Sequence, residues 1–168
     1  MSTPEQFAKD IAKFCRKLEV APSVVVKRII STIAENVVDR SPVDTGKFKA
    51  NWHYTHGSVS TDTTEDVDPS GEETKARMLA AIAEAPAGGK HNITNALPYA
   101  AVIEYGLYPN PPKNPTGKTV GGYSTQAPAG VVRITVLELQ THVHNAVEGM
   151  GEELALATSV GGRNEGPV

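Results

Sequence analysis

This chain has little of what small proteins use to staple themselves together or to run chemistry. It carries one cysteine, Cys15, so no internal disulfide is available. A lone thiol suits a reducing cytoplasm, and its apolar helical setting reads as a small buried side chain rather than a nucleophile. Aromatic residues make up 5% of the chain, with a single tryptophan, Trp52, so the core must rest on Val, Ile, Leu and Ala. No apolar run approaches the ~18 residues of a membrane span, so no membrane partner is expected. The opening MSTPEQFAKD lacks the basic-then-apolar build of a signal peptide. Positive charge is not in excess: the net charge of −3 argues against a protein whose main task is to grip phosphate backbones.

Catalytic signatures are equally scarce. There is no P-loop and no G-x-G-x-x-G. The Gly117-Lys118-Thr119 triplet lacks the upstream glycine and following helix of a phosphate loop. Ser41 and Ser124 lack a G-x-S-x-G elbow. His53 and His56 are three apart on a predicted strand and face opposite sides, while His142 and His144 lie about 200° apart around a predicted helix. The acidic run Asp62, Glu65, Asp66, Asp68 does not keep the alternate spacing of a calcium loop and reads as solvated and mobile. No catalytic, cofactor-binding or metal-binding residue is therefore assigned, and no cofactor is expected.

What the chain does have is glycine and proline, 15 and 12 of them, and clear apolar periods between. A length of 168 residues fits one domain, able to bury roughly 70% of its unfolded surface. Thr3-Pro4-Glu5-Gln6 opens a helix whose apolar face is Phe7, Ile11, Phe14, Cys15 and Leu18. Ala21-Pro22-Ser23 breaks it, with Ser23 as the next cap, and Val24–Arg40 repeats at helical spacing. Phe48, Ala50, Trp52 and Tyr54 alternate with polar neighbours and predict a strand over Lys47–His56. Glu72–Ala85 predicts a short helix with acidic residues at its positive end. Lys90–Thr94 reads as a short strand, and Tyr99–Tyr105 as strand or helical turn. Pro128 opens a predicted helix of about 20 residues, spanning roughly 30 Å. The whole predicts an α+β domain over residues 1–156: a small antiparallel sheet holding Trp52, packed by a long C-terminal helix and N-terminal helices. Two long arms, 57–73 and 107–125, leave it, and 157–168 reads as a flexible tail.

Two stretches carry the most information. In Ser41–Trp52, SPVDTGKFKANW, Pro42 stops the preceding helix and Asp44-Thr45-Gly46 makes a specific turn, with Asp44 as a turn cap. In Asn95–Gly106, NALPYAAVIEYG, Glu104 sits among apolar neighbours and needs a partner, Lys47 or Arg133. Pro42, Val43, Asp44, Thr45, Gly46, Asn51 and Trp52 resemble the V-D-T-G turn and N-W strand end of the phage tail-component family, the tail completion and neck proteins of long-tailed bacteriophages. The resemblance continues through Asn95, Pro98, Tyr99, Ala100, Ile103, Glu104, Tyr105 and Gly106, then Gln126, Ala127, Pro128 and Gly130. It spans about residues 25–150.

The resemblance implies a virion structural protein of the neck, assembled in the host cytoplasm. Such a protein completes the tail and joins it to the head connector, and has no known chemistry. Its partners would be further copies in a ring, a hexamer first, together with tail terminator and head–tail connector proteins, and DNA crossing the bore. Tail terminator and head-closure roles share this geometry and stay open. So do a small DNA-binding module and an enzyme whose site forms only in an oligomer. On this reading Lys47 and Lys49 face a channel from the strand, with ordinary solvated lysine as the simpler account. Tyr108, Pro109, Pro111, Pro112 and Lys113 form a subunit interface on the second arm, because a solvated arm has little use for Tyr108. Removing Pro109–Gly122 is expected to leave the monomer folded and to block assembly.

Overall fold

The computed structural model describes residues 21–139 continuously. Of the flanks it describes Glu5, Gln6, Lys9, Ala12, Lys13, Cys15, Arg16, Thr141, Val143, His144, Glu148, Gly149 and Glu152, each in helical conformation. The predicted cap at Thr3, the apolar face Phe7, Ile11, Phe14 and Leu18, and the tail 157–168 lie outside the described residues.

Helix α1, Pro22–Asp39, starts one residue before the predicted cap. Pro22 occupies the first helical turn, where its missing N–H costs nothing, and Ser23 makes no capping bond. The helix buries Val25, Ala34, Val37 and Val38. Beyond it, Gly46 holds φ at +95°, and a Cβ there would lie 2.4 Å from the Pro69 nitrogen. Only glycine relieves both constraints.

The strand expected over Lys47–His56 is half helix. Lys47–Ala50 forms a single turn, α2, and strand β1 is Trp52–His56. Phe48 and Trp52 are four apart, a spacing at which the two-residue and 3.6-residue periods coincide, so the alternation does not separate the two. The left-handed Gly46 decides it by offering its carbonyl to the Ala50 N–H at 3.1 Å. Asn51 follows, fully buried, and donates to the Lys47 carbonyl at 2.8 Å.

β1 pairs antiparallel with β2, His91–Asn95, in a register that sets Trp52 opposite Asn95 and His56 opposite His91. Between the two strands lie the 57–71 segment and helix α3, Glu72–Glu84. Helix α4, Ala100–Tyr105, resolves the strand-or-turn ambiguity in favour of helix. The second arm is not wholly irregular: β3, Thr119–Val120, and β4, Tyr123–Ser124, form a second small antiparallel sheet.

Helix α5, Val132–Leu137, begins four residues after Pro128, which instead bridges to Gly130 in a loop. Gly130 has φ +78°, which breaks any helix running on from Pro128. The long C-terminal helix is thus described only as α5, and much of the rest of that expectation lies outside the described residues.

The protein is a mixed helix-and-strand fold with five continuous helices in the described region and two small antiparallel sheets. One core joins Ala34, Val37 and Val38 of α1, Phe48 and Trp52, Met78 and Ile82 of α3, Leu97, Ile103, Ala127 and Val131. Trp52 is 3% exposed; its ring meets Phe48 edge-on at 5.9 Å, and its N–H donates to the Ser41 hydroxyl at 2.7 Å. That hydroxyl donates in turn to the Val37 carbonyl at 2.6 Å. Among the described residues no helix is long and apolar enough to cross a membrane.

Candidate functional site

Of the residues singled out by sequence, Pro42, Asp44, Thr45, Gly46, Tyr99 and Tyr108 meet at one open cleft of about 380 Å³. Pro42, Asp44, Thr45 and Gly46 form one wall, Tyr99 and Ile103 another, and Lys118, Ser124 and Gln126 a third. Phe48, Tyr99 and Tyr108 make it aromatic, with the Phe48 and Tyr99 rings 6.1 Å apart.

Three side chains lock these walls together. Gln126 accepts from the Val43 N–H and donates to the Val43 carbonyl, both at 2.9 Å, so one amide copies a strand-to-strand pairing. Asn95 donates to the Phe48 carbonyl at 2.8 Å and accepts from the Leu97 N–H at 3.3 Å. Asp44 is not a turn cap: it is exposed and takes a 2.7 Å ion pair from Lys118 across the cleft mouth. The Lys118 ammonium lowers the Asp44 pKa, and Asp44 raises that of Lys118. The turn is held instead by Thr45, whose hydroxyl accepts from the Lys47 N–H at 3.3 Å. Partial burial raises the Tyr99 pKa.

Behind the cleft, Glu104 finds the partner its setting demanded. Its carboxylate accepts the N–H groups of Val131, Val132 and Arg133, each at 2.8 Å, and caps α5 from another element. A carboxylate there satisfies otherwise open donors and meets the positive end of the helix. Arg133, not Lys47, is the ion partner at 3.5 Å. Its guanidinium also donates to the Glu104 carbonyl and the Tyr123 hydroxyl and lies over the Tyr105 and Tyr123 rings. Gly106, at φ +66°, closes α4, and a Cβ on it would meet the Tyr123 ring at 2.4 Å. Glu104, Tyr105 and Gly106 are thus one structural joint.

The acidic segment 57–71 is held, not loose. Asn51 clamps its middle, accepting from the Thr64 N–H at 2.8 Å and donating to the Thr64 carbonyl at 3.0 Å. Asp68, 6% exposed, accepts from the Gly71 and Thr74 N–H groups and the Ser70 and Thr74 hydroxyls. Burial alone would raise its pKa, but these donors together bring it down to about 2. It anchors the start of α3 rather than binding a cation.

The two lysines assigned to a channel face do not form one face. Lys49 is buried, with its ammonium reaching the Ser70 carbonyl, because α2 rather than a strand carries it. Lys47 pairs with Glu65 at 2.7 Å. Tyr108 packs its half-buried ring on the chain's own core while lining the cleft, and its N–H donates to the Gly122 carbonyl. Pro109, Pro111 and Lys113 are exposed beyond the cleft rim, with Pro112 half-buried, and the Asn110–Pro111 bond is cis. Pro128 lies outside the cleft, Trp52 in the core beneath it.

Among the described residues no group of three or more His, Cys, Asp or Glu side chains is placed to share a metal ion. His91 bonds Tyr54 and the Ala87 carbonyl, and His56 bonds the Gly88 carbonyl, so both brace the turn before β2. Comparison with family models, curated proteins and solved structures returns no match.

Sequence reasoning placed Gln126 in the family resemblance, Phe48 on the apolar side of a strand and Lys118 in a chance phosphate-loop match, and gave none of them its part in the cleft. Gln126 carried a signal, a lone amide directly before an Ala-Pro turn. Lys118 carried none, since an arm lysine looks like any solvated lysine.

Proposed function

We propose that this chain is a structural subunit of a phage virion, a neck protein that completes the tail and joins it to the head connector as a ring, hexameric first. One observation carries the reading. The residues that resemble the tail-component family act on backbone groups: Gln126 on Val43, Glu104 on the start of α5, Asn95 on Phe48. They build a scaffold of side chain to main chain bonds around the cleft, the kind of joint an assembly subunit needs. The same reading extends α5 into the long C-terminal helix of such subunits, in keeping with the helical conformation of Thr141, Val143 and His144. Further neck and tail proteins would stack on the ring, and DNA would pass its bore. The pairing of Lys47 and burial of Lys49 weigh against a stand-alone DNA-binding module. Mass measurement on isolated necks tests the proposal: copies in a whole multiple of six support it, and particles that lack this chain overturn it.

A further inference from the structure

We infer that the aromatic cleft is a receptor for the Pro112–Pro115 segment of a second copy of this chain. The segment reads Pro112-Lys113-Asn114-Pro115, past the cis bond, and Lys113, Asn114 and Pro115 are exposed. The segment bends at Lys113 and Asn114 in the free chain; straightened into a polyproline II turn of three residues on binding, its two prolines would share one edge. Grooves that take such an edge are lined by aromatic rings, against which proline packs. Phe48, Tyr99 and Tyr108 supply the rings here. Charge points the same way. The segment's one charge is the Lys113 cation, and the cleft mouth carries the Asp44 carboxylate, whose pair with Lys118 is exposed on both sides and so weak enough to exchange. The segment leaves its own cleft at Tyr108 and returns at Thr116, so its rim is tied at both ends and its tip is free for another molecule. Arm-into-cleft contact is heterologous and generates a ring when the rotation closes. This supplies a contact for the ring proposed above but does not depend on it, since any head-to-tail assembly uses the same joint.

The test is direct binding of a labelled peptide, LYPNPPKNPTG (residues 107–117), to the full chain by fluorescence anisotropy. Saturable binding is expected. Replacing Pro112 and Pro115 of the peptide by Ala should abolish it. Tyr99→Ala in the protein should weaken it about tenfold, the scale of one lost aromatic contact. A Lys113→Glu peptide should bind poorly to the wild-type chain and recover on an Asp44→Lys chain. That surface variant keeps the test decisive should Tyr99→Ala fail to fold. Equal binding of the Ala-substituted peptide, or no recovery in the charge swap, overturns the inference. So does a cleft that takes foreign proline-rich peptides but not this one. Neck rings whose arms lie elsewhere would overturn it too while leaving the ring itself standing.

Discussion

Ser41 is a small residue with a large role. Its hydroxyl links the last turn of α1 to the Trp52 indole, so a helix end and a strand start are fixed through one oxygen. Ser41→Ala would strand a buried indole N–H, and a loss of about 1–3 kcal/mol is expected. Trp52→Ala should cost about 3–5 kcal/mol, the range for emptying a large aromatic site. Urea titration reads both, and the wild-type Trp52 emission should sit well short of the fully hydrated wavelength. Glu104→Gln tests the joint behind the cleft. The amide keeps the shape but turns an NH₂ toward backbone donors, so about 1–3 kcal/mol should be lost, with the far-UV helix signal reporting any fraying of α5. The Trp52 placement and the need of Glu104 for a partner were both legible in the sequence, because a large aromatic on an amphipathic stretch and a carboxylate among apolar neighbours each pose a local problem with few solutions. Which partner solved it was not legible. Backbone N–H groups at the start of a helix carry no residue signature, and Val131 and Val132 reveal nothing of the bond they donate.

Elements with clean periods came through. Helices α1 and α3 lie where their apolar spacing sets them. The misreading of α2 has a definite origin: over one turn, the Phe48–Trp52 spacing fits both periods, and Gly46 casts the deciding bond. Gly46→Ala is expected to cost more than about 1 kcal/mol, from positive φ and from collision with Pro69, and to loosen α2 and the 57–71 segment together. Limited proteolysis of that segment would show it. Composition marked 57–73 as loose because its residues are polar, yet 72–73 open helix α3 and 57–71 is ordered. Its order comes from Asn51 and Asp68, which bond the main chain at a distance that sequence spacing does not reveal. The Asp68 carboxyl has its pKa lowered in the fold, so the stability it supplies is complete above the ordinary value of 3.8 and is lost as pH falls through about 2. The stability gap between wild type and Asp68→Asn should be roughly 2 kcal/mol at pH 6 and close between about pH 4 and pH 2, as read from urea midpoints.

At the scale of the whole molecule the second arm divides in two. Residues 118–125 belong to the fold, through the β3–β4 hairpin, the Lys118–Asp44 pair and the Tyr123 ring against Gly106. Residues 109–117 stand outside it. Deleting Pro109–Gly122 would therefore remove the Gly122 carbonyl that holds Tyr108 and damage the cleft. Replacing only Pro109–Gly117 with a short Gly–Ser linker should leave the melting temperature within a few degrees of wild type and, on the proposed neck role, prevent head–tail joining. Calorimetry checks the first half and electron microscopy of particles the second; intact, tail-joined heads would show the tip to be dispensable.

Among the described residues the core draws its walls from positions as far apart as Ala34 and Val131. A chain emerging from the ribosome makes Phe48 and Trp52 early, but Leu97, Ile103, Ala127 and Val131 come late. Until Val131 is out, the pocket for the indole lacks a side and the growing chain carries its most apolar surface uncovered, the condition in which nascent proteins stick to one another or recruit chaperones. No partial product of this gene segment should be stable by itself, and folding should occur in a single late step. A series of stalled nascent chains would show protease resistance arriving abruptly once residue 131 has cleared the exit tunnel. A chain built this way is present either whole or not at all.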